Sequence, residues 1–91
     1  MTNVKRSLTI SKNLRWLRMC HGFTQKQMSE KLDIPLGTYG TYENISNGIG
    51  KERLQLLCNF WGVKVEHLEM EPEDFQDWYR KEYIYGGQAS R

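Results

Sequence analysis

The chain has 91 residues, of which 26% are charged and 38% are hydrophobic, and its formal net charge is +2 at pH 7. This length is sufficient for one domain with a modest core and too short for a second core. No apolar run approaches the roughly 20 residues that cross a bilayer, and the first residues lack the apolar segment of a signal peptide. We therefore expect a cytoplasmic protein with no membrane partner.

The charge is distributed unevenly along the sequence. Residues 1–64 carry ten basic and four acidic side chains, a formal charge of +6, whereas residues 65–91 carry three basic and seven acidic ones, a charge of −4. A basic body with an acidic tail is typical of a domain that meets a polyanion on one face. A solvated surface with chance clustering of charges is the alternative.

The N-terminal part predicts a flexible arm followed by a helix. Residues 1–9 are polar with scattered charges, which is typical of a loose terminus. The first helix is expected over residues 11–20, with Ser11 as its N-cap and Gly22 just after its end. Trp16 lies off the apolar face of this helix and indicates either a surface aromatic or a contact with another segment or subunit.

Two short helices joined by a tight turn come next, and the rest of the chain is organised around them. Thr24 and Gln27 have the spacing of a capping box at the start of the second helix. Asp33 suits a left-handed position in the turn, and Pro35 suits the first turn of the third helix. Two helices connected in this way form a helix-turn-helix, which can place its second helix in the DNA major groove.

The third helix, expected over residues 35–44, has an unusual outer face. Tyr39 and Tyr42 should point inward, while Gly37 and Gly40 lie outward and the helix contains no Lys or Arg. Each glycine costs about 1 kcal/mol of helix propensity relative to alanine, so this helix depends on the packing of its tyrosines. The glycines allow either a close approach of the backbone to DNA or packing against a protein partner.

The remaining elements are weaker predictions. Residues 45–50 should form a loop, residues 51–61 a fourth helix, and a short fifth helix or turn should end near residue 70. A sixth helix is expected from residue 72 to about residue 83, although residues 83–85 could instead form a short strand. The surplus aromatic residues indicate a tail that folds back on the first helix or builds a dimer interface: Trp16, Phe75, Trp78 and Tyr79.

The sequence carries no motif for catalysis or cofactor binding. It has no glycine-rich phosphate loop, no HExxH sequence and no nucleophile motif. Cys20 and His21 are adjacent, and their spacing to Cys58 and His67 does not match a zinc finger. We therefore expect a protein that is not an enzyme, with no metal, no cofactor and no small-molecule substrate, and with both cysteines reduced in the core.

An ordered set of residues between positions 10 and 68 carries a family resemblance. Its members are Leu14, Leu17, Arg18, Gly22, Phe23, Thr24, Gln25, Met28, Ser29, Glu30, Lys31, Leu32, Ile34, Thr38, Tyr42, Glu43, Asn44, Leu54, Leu57, Gly62, Val63 and Leu68. In this order and at these intervals they resemble the phage repressor/Cro-type (XRE-like) helix-turn-helix family. The resemblance implies an all-α, five-helix lambda-repressor-like bundle over residues 10–70, to which residues 71–91 would add an acidic, aromatic helical extension. It also implies a homodimer that binds double-stranded DNA as a transcriptional regulator, a repressor of phage (prophage) or bacterial type.

The resemblance also implies roles for individual residues. Gln25 matches a glutamine that bonds a DNA phosphate and braces the reading helix, and Arg18 and Glu43 match a pair that often forms a buried salt bridge. For Arg18 a solvated charge is the alternative. The expected DNA-binding residues are Gln25, Lys26, Leu36, Gly37, Thr38, Gly40, Thr41, Asn44 and Lys51.

The outer face of the third helix departs from the family pattern. The family usually places Arg, Gln, Ser or Asn there, where bidentate contacts to base edges form. Without such side chains, specificity would depend on DNA shape or on the N-terminal arm. A protein-interaction module that kept the fold and lost base reading, such as an anti-repressor or complex subunit, is the alternative function.

Overall fold

The computed structural model describes residues 2–44 and 49–85, and every regular element in this part of the chain is helical. The helices are α1 (Thr2–Cys20), α2 (Gln25–Leu32), α3 (Leu36–Asn44), α4 (Lys51–Trp61), α5 (Val65–Leu68) and α6 (Pro72–Tyr79), and α6 continues into a π-helical segment (Arg80–Tyr85). The predicted all-α bundle with a C-terminal helical extension is confirmed. No helix in the described residues is long and apolar enough to cross a membrane.

The first helix is longer than the sequence predicted. The flexible arm expected over residues 1–9 is wrong for residues 2–9, which form the first turns of α1 and include the buried side chains of Ser7 and Thr9. Ser11 is therefore not an N-cap. Its buried hydroxyl donates a hydrogen bond of 2.7 Å to the carbonyl of Tyr42, because α1 and α3 pack closely enough there for a small polar group to bridge them.

One hydrophobic core is enclosed by α1 to α6. Burial of a leucine, isoleucine, methionine or phenylalanine side chain in such a core stabilises the fold by about 1.5–3 kcal/mol relative to leaving it exposed. The core residues with almost no exposed surface are Ile10, Leu14, Leu17, Met28, Ile34, Tyr39, Leu57, Cys58, Leu68 and Phe75. The helix-turn-helix unit and the C-terminal helices therefore contribute side chains to the same core as α1.

The start and end of α2 follow the predicted local signals. The Thr24 hydroxyl accepts a hydrogen bond from the Gln27 N–H (3.0 Å), and the Gln27 side chain accepts one from the Thr24 N–H (2.9 Å), which confirms the capping box. Asp33 has φ 57°, which confirms the left-handed turn residue. Pro35 lies one residue before α3, where its carbonyl accepts a hydrogen bond from the Tyr39 N–H.

The C-terminal extension folds back on α1. The Trp16 ring makes edge-to-face contacts with Phe75 (6.0 Å between centroids) and Tyr79 (5.7 Å), so the fold-back prediction is confirmed. Burial raises the pKa of the Tyr79 hydroxyl. The alternative of a strand over residues 83–85 is wrong, because the backbone there is π-helical. The Tyr83 hydroxyl, within that segment, donates a hydrogen bond to the Gly62 carbonyl at the end of α4.

The two cysteines differ in their surroundings. Cys58 is buried in the core, and burial raises the pKa of its thiol. Cys20 is exposed, so the expectation of two core thiols is wrong for Cys20, which sits at the solvated end of α1. Of the predicted loop over residues 45–50, residues 45–48 lie outside the described part of the chain, as do residues 86–91.

Candidate nucleic-acid interface

The carboxylate of Glu43 holds α3 against the two helices that precede it. Arg18 on α1 donates from Nε to Glu43 Oε2 at 2.7 Å, and Gln25 on α2 donates from Nε2 to Glu43 Oε1 at 3.1 Å. The Tyr39 hydroxyl, one turn earlier on α3, donates to the same carboxylate. Three helices therefore meet at one buried side chain, which fixes the orientation of α3.

The charges at this junction compensate one another. The Glu43 side chain is only 1% exposed and that of Arg18 is 13% exposed, and either charge buried alone would be costly. The hydrogen bond to Glu43 is the main cause that raises the pKa of the Arg18 guanidinium. Burial, with a further contribution from the Glu43 hydrogen bond, raises the pKa of Tyr39 well above its usual value. At neutral pH the junction therefore holds a salt bridge and a neutral tyrosine.

The family resemblance placed Arg18 with Glu43 and gave Gln25 a bracing role without naming its partner, whereas the contacts of Tyr39 and of the Phe23 carbonyl were missed. The spacing of Tyr39 and Glu43, four residues apart on a helix, is a signal that could have shown their hydrogen bond. Arg18 also donates to the Phe23 carbonyl at 2.7 Å, which ties the α1–α2 turn to the same site. No sequence signal identifies that contact, because its acceptor is a backbone atom.

The outer face of α3 is solvent-exposed and uncharged. Leu36, Gly37, Thr41 and Asn44 are exposed, while Thr38 and Gly40 are half-buried at its edges. Leu36 is 48% exposed and is the one large apolar side chain on this face. The Thr41 hydroxyl donates to the Gly37 carbonyl at 2.9 Å, so it retains acceptor capacity for an outside donor. This surface can make apolar and backbone contacts and few polar ones.

Packing inside the protein does not require the two glycines of α3. Among the described residues, a Cβ atom added at Gly37 would meet nothing within 4 Å, and one added at Gly40 would lie 3.5 Å from Gln25 Oε1, an ordinary contact distance. The helix propensity lost at these two positions is therefore not offset by a closer approach of described residues. Because Gly37 and Gly40 have no side chains, the outer face of α3 is shallow at these two positions, and the backbone of another molecule can approach it.

Exposed basic side chains lie on the helices before and after α3. Lys26 is exposed at the start of α2, and Lys51 is exposed in the first turn of α4. Arg53 is less available, because it donates to the Tyr42 hydroxyl at 3.2 Å and so connects α4 with α3. Gln25 is half-buried and directed at Glu43. Its amide retains a second N–H that can reach an outside acceptor.

The histidines and cysteines do not gather into a metal site. Among the described residues no group of three or more His, Cys, Asp or Glu side chains could hold a metal ion. His21 shares a hydrogen bond of 2.9 Å with the Tyr79 hydroxyl, and His67 stacks on Trp78 with ring centroids 3.9 Å apart. Both imidazoles therefore take part in packing of the C-terminal extension.

The fold and the α2–turn–α3 unit together define a helix-turn-helix protein. Part of the chain is similar to a Bacillus subtilis (strain 168) protein named "Uncharacterized HTH-type transcriptional regulator YobD", with 34% identity over 55 residues. The matched stretch covers 60% of this chain and 49% of that protein, so the chain spans about half the length of the relative it matches. No protein-family model matches the chain, and no solved structure matches it.

Proposed function

We propose that this protein binds duplex DNA as a homodimeric transcriptional regulator, a repressor of the phage or bacterial type, and that it works in the cytoplasm. The observation that carries the proposal is the Glu43 junction, which fixes the orientation of α3 while its outer face stays exposed, as the proposed reading helix requires. The printed name of the Bacillus subtilis relative, an HTH-type transcriptional regulator, supports the same class. The similarity of this chain to a protein named as a regulator also favours a function other than catalysis.

The uncharged face of α3 determines how such a protein would recognise DNA. Leu36 can contact a thymine methyl group, and Thr38 and Thr41 can exchange hydrogen bonds with bases or phosphates. Gly37 and Gly40 allow the helix backbone to approach the groove closely. With no long polar side chain at the base edges, the sequence preference should come largely from DNA shape and deformability.

Phosphate contacts would come from residues beside α3. Gln25, Lys26 and Lys51 are the proposed contacts, through one free amide N–H and two exposed ammonium groups. In a homodimer two reading helices would lie about 34 Å apart on one face of the duplex. Each phosphate that the protein neutralises releases counterions, which makes the affinity depend on salt.

A salt series tests this proposal. Binding of the full chain to a fluorescent duplex of about two helical turns is measured by anisotropy between 50 and 200 mM salt, a range over which six to ten phosphate contacts lower affinity by about 10³–10⁵-fold. We expect a steep linear fall of log K with log[salt]. The double variant Gln25→Ala/Lys51→Ala should bind more weakly to all sequences alike. A flat salt response, or no binding, would refute DNA binding.

The rival function is a protein-interaction module on the same fold. Leu56 and Phe60 are exposed one turn apart on α4, an apolar pair that the described residues do not cover. Sedimentation of the wild-type chain and of Leu56→Ser/Phe60→Ser, each with and without duplex DNA, separates the two functions. A wild-type chain that associates through this pair and leaves the duplex unbound would support the rival and contradict our proposal.

A further inference from the structure

We infer that the exposed flank of α1 that carries Lys12 and Arg15 is a second phosphate-binding surface, which extends the DNA contact beyond α3. The inference rests on the proposed function, because it assumes that α3 lies against a duplex. It concerns two residues that neither the helix-turn-helix unit nor the family resemblance includes. Three properties of the molecule support it: the place of the flank beside α3, the absence of compensating acids around its charges, and the lack of cations on α3 itself.

The position of the flank follows from the contacts of α1 with α3. Ser11, Arg15 and Arg18 recur at intervals of four and three residues, so they lie along one side of α1. Ser11 bonds the Tyr42 carbonyl and Arg18 bonds the Glu43 carboxylate, both at 2.7 Å and both in the last turn of α3. Arg15 therefore projects from α1 between two anchor points at the C-terminal end of α3.

Lys12 lies next to Arg15 on the solvent side of the same flank. The two residues are three apart, which makes their side chains neighbours on the helix surface. Both are exposed, and neither has an acidic partner within the described residues. Two like charges held side by side, without compensation, favour binding of an anion that spans both.

The first turns of the same helix show the opposite arrangement. Lys5 forms a salt bridge with Glu71 at 3.6 Å, and Arg6 forms one with Glu69. The acidic C-terminal part thus compensates the cations at the start of α1, whereas Lys12 and Arg15 have no acidic partner among the described residues. The uncompensated positive charge of α1 therefore lies at Lys12 and Arg15, on the flank beside α3.

The composition of α3 explains why a DNA-binding surface would need this flank. Phosphate contacts supply most of the non-specific affinity of such proteins, and α3 has no Lys or Arg with which to make them. The electrostatic attraction must come from the neighbouring elements, where Lys26, Lys51, Lys12 and Arg15 are exposed. Exposed Leu8 and Met19 at the two ends of the flank would suit a protein partner instead, but they do not account for the uncompensated charges.

The test compares two double variants of the full chain that remove equal charge. Lys12→Ala/Arg15→Ala removes the two cations of the flank. The control Lys64→Ala/Lys81→Ala removes two cations outside the flank, and Lys81 is already paired with Asp77 at 3.1 Å. The slope of log K against log[salt] should become shallower by about 0.9 for each phosphate that the variant no longer neutralises, which amounts to about 1.8 for the flank variant. The control should change the slope by less than about 0.5, and Lys12→Arg/Arg15→Lys should retain the parent slope.

Each other outcome has a distinct meaning. If Gln25→Ala/Lys51→Ala weakens binding and the flank variant keeps the parent slope, the inference is overturned while DNA binding by α3 stands. If the flank variant instead dissociates a dimer in sedimentation without a change of slope, the flank is a protein contact and the inference is wrong. If the parent chain shows no salt-dependent binding, the proposed function fails and the inference fails with it. Far-UV circular dichroism verifies that every variant is folded.

Discussion

The Tyr39 hydroxyl donates a hydrogen bond to the carboxylate of Glu43, one turn further along α3. The same carboxylate accepts hydrogen bonds from Arg18 and Gln25, so a single acidic side chain connects α1, α2 and α3. The outer face of α3 projects from this junction. The orientation of α3 thus depends on polar contacts inside the bundle as well as on apolar packing. Substitutions at Glu43 and Tyr39, at the glycines of α3 and in the C-terminal extension test how much each of these features contributes to stability and to binding.

Loss of the Glu43 carboxylate should destabilise the fold strongly. Glu43→Ala leaves the largely buried Arg18 without its counter-charge, and breaking a buried ion pair from one side typically costs about 3–5 kcal/mol. The measurement is the free energy of unfolding in urea. Glu52→Ala, at an exposed acid on α4, is the matched control and should change it by less than about 0.5 kcal/mol. Equal effects of both variants would contradict the structural role of Glu43.

Alkaline pH should destabilise the protein, partly through Tyr39. Burial raises the folded-state pKa of Cys58 above 9.0 and that of Tyr39 above 10.0, their unshifted values. A raised folded pKa contributes stability that is complete below the unfolded pKa and is lost as the pH rises toward the folded pKa. The free energy of unfolding should therefore fall above about pH 9–10. Tyr39→Phe should reduce this fall, and an unchanged pH profile would count against the assignment.

Alanine at the glycines of α3 should separate stability from binding. Gly37→Ala and Gly40→Ala fit without a clash against the described residues, so each should stabilise the fold by up to about 1 kcal/mol through helix propensity. Gly62→Ala is the control, because φ is +71° there and alanine should destabilise by about 1 kcal/mol. If α3 approaches DNA through its backbone, both α3 variants should raise the melting temperature and weaken DNA binding. Stabilisation with unchanged binding would contradict a close approach.

The C-terminal extension should contribute to global stability. Phe75 on α6 is fully buried against Trp16, and truncation of a buried phenylalanine to alanine typically costs about 3–5 kcal/mol. Phe60→Ala, at a side chain that is 39% exposed on α4, should cost much less. Thermal unfolding followed by circular dichroism gives both values. A small effect of Phe75→Ala would mean that the extension docks weakly on α1.

Local signals in the sequence were reliable where neighbouring residues decide the structure. The capping box of Thr24 and Gln27 and the left-handed Asp33 follow from hydrogen bonds and sterics within a few residues. The start of α1 was missed because Ser7 and Thr9 are polar and look like a terminal arm, although the folded chain buries them. The proposed DNA-binding residues, by contrast, remain a prediction that only binding experiments can test.

Periodicity and capping in the sequence determined the helices around the turn, the inward tyrosines of α3 and the all-α class, because these features depend on contacts within one or two helical turns. Only the tertiary structure decided that Ser11 bonds α3, that Trp16 receives the C-terminal extension, and that Gln25 bonds the carboxylate of Glu43. These contacts join residues from different helices. Their partners are selected by how the helices pack, which no local pattern specifies.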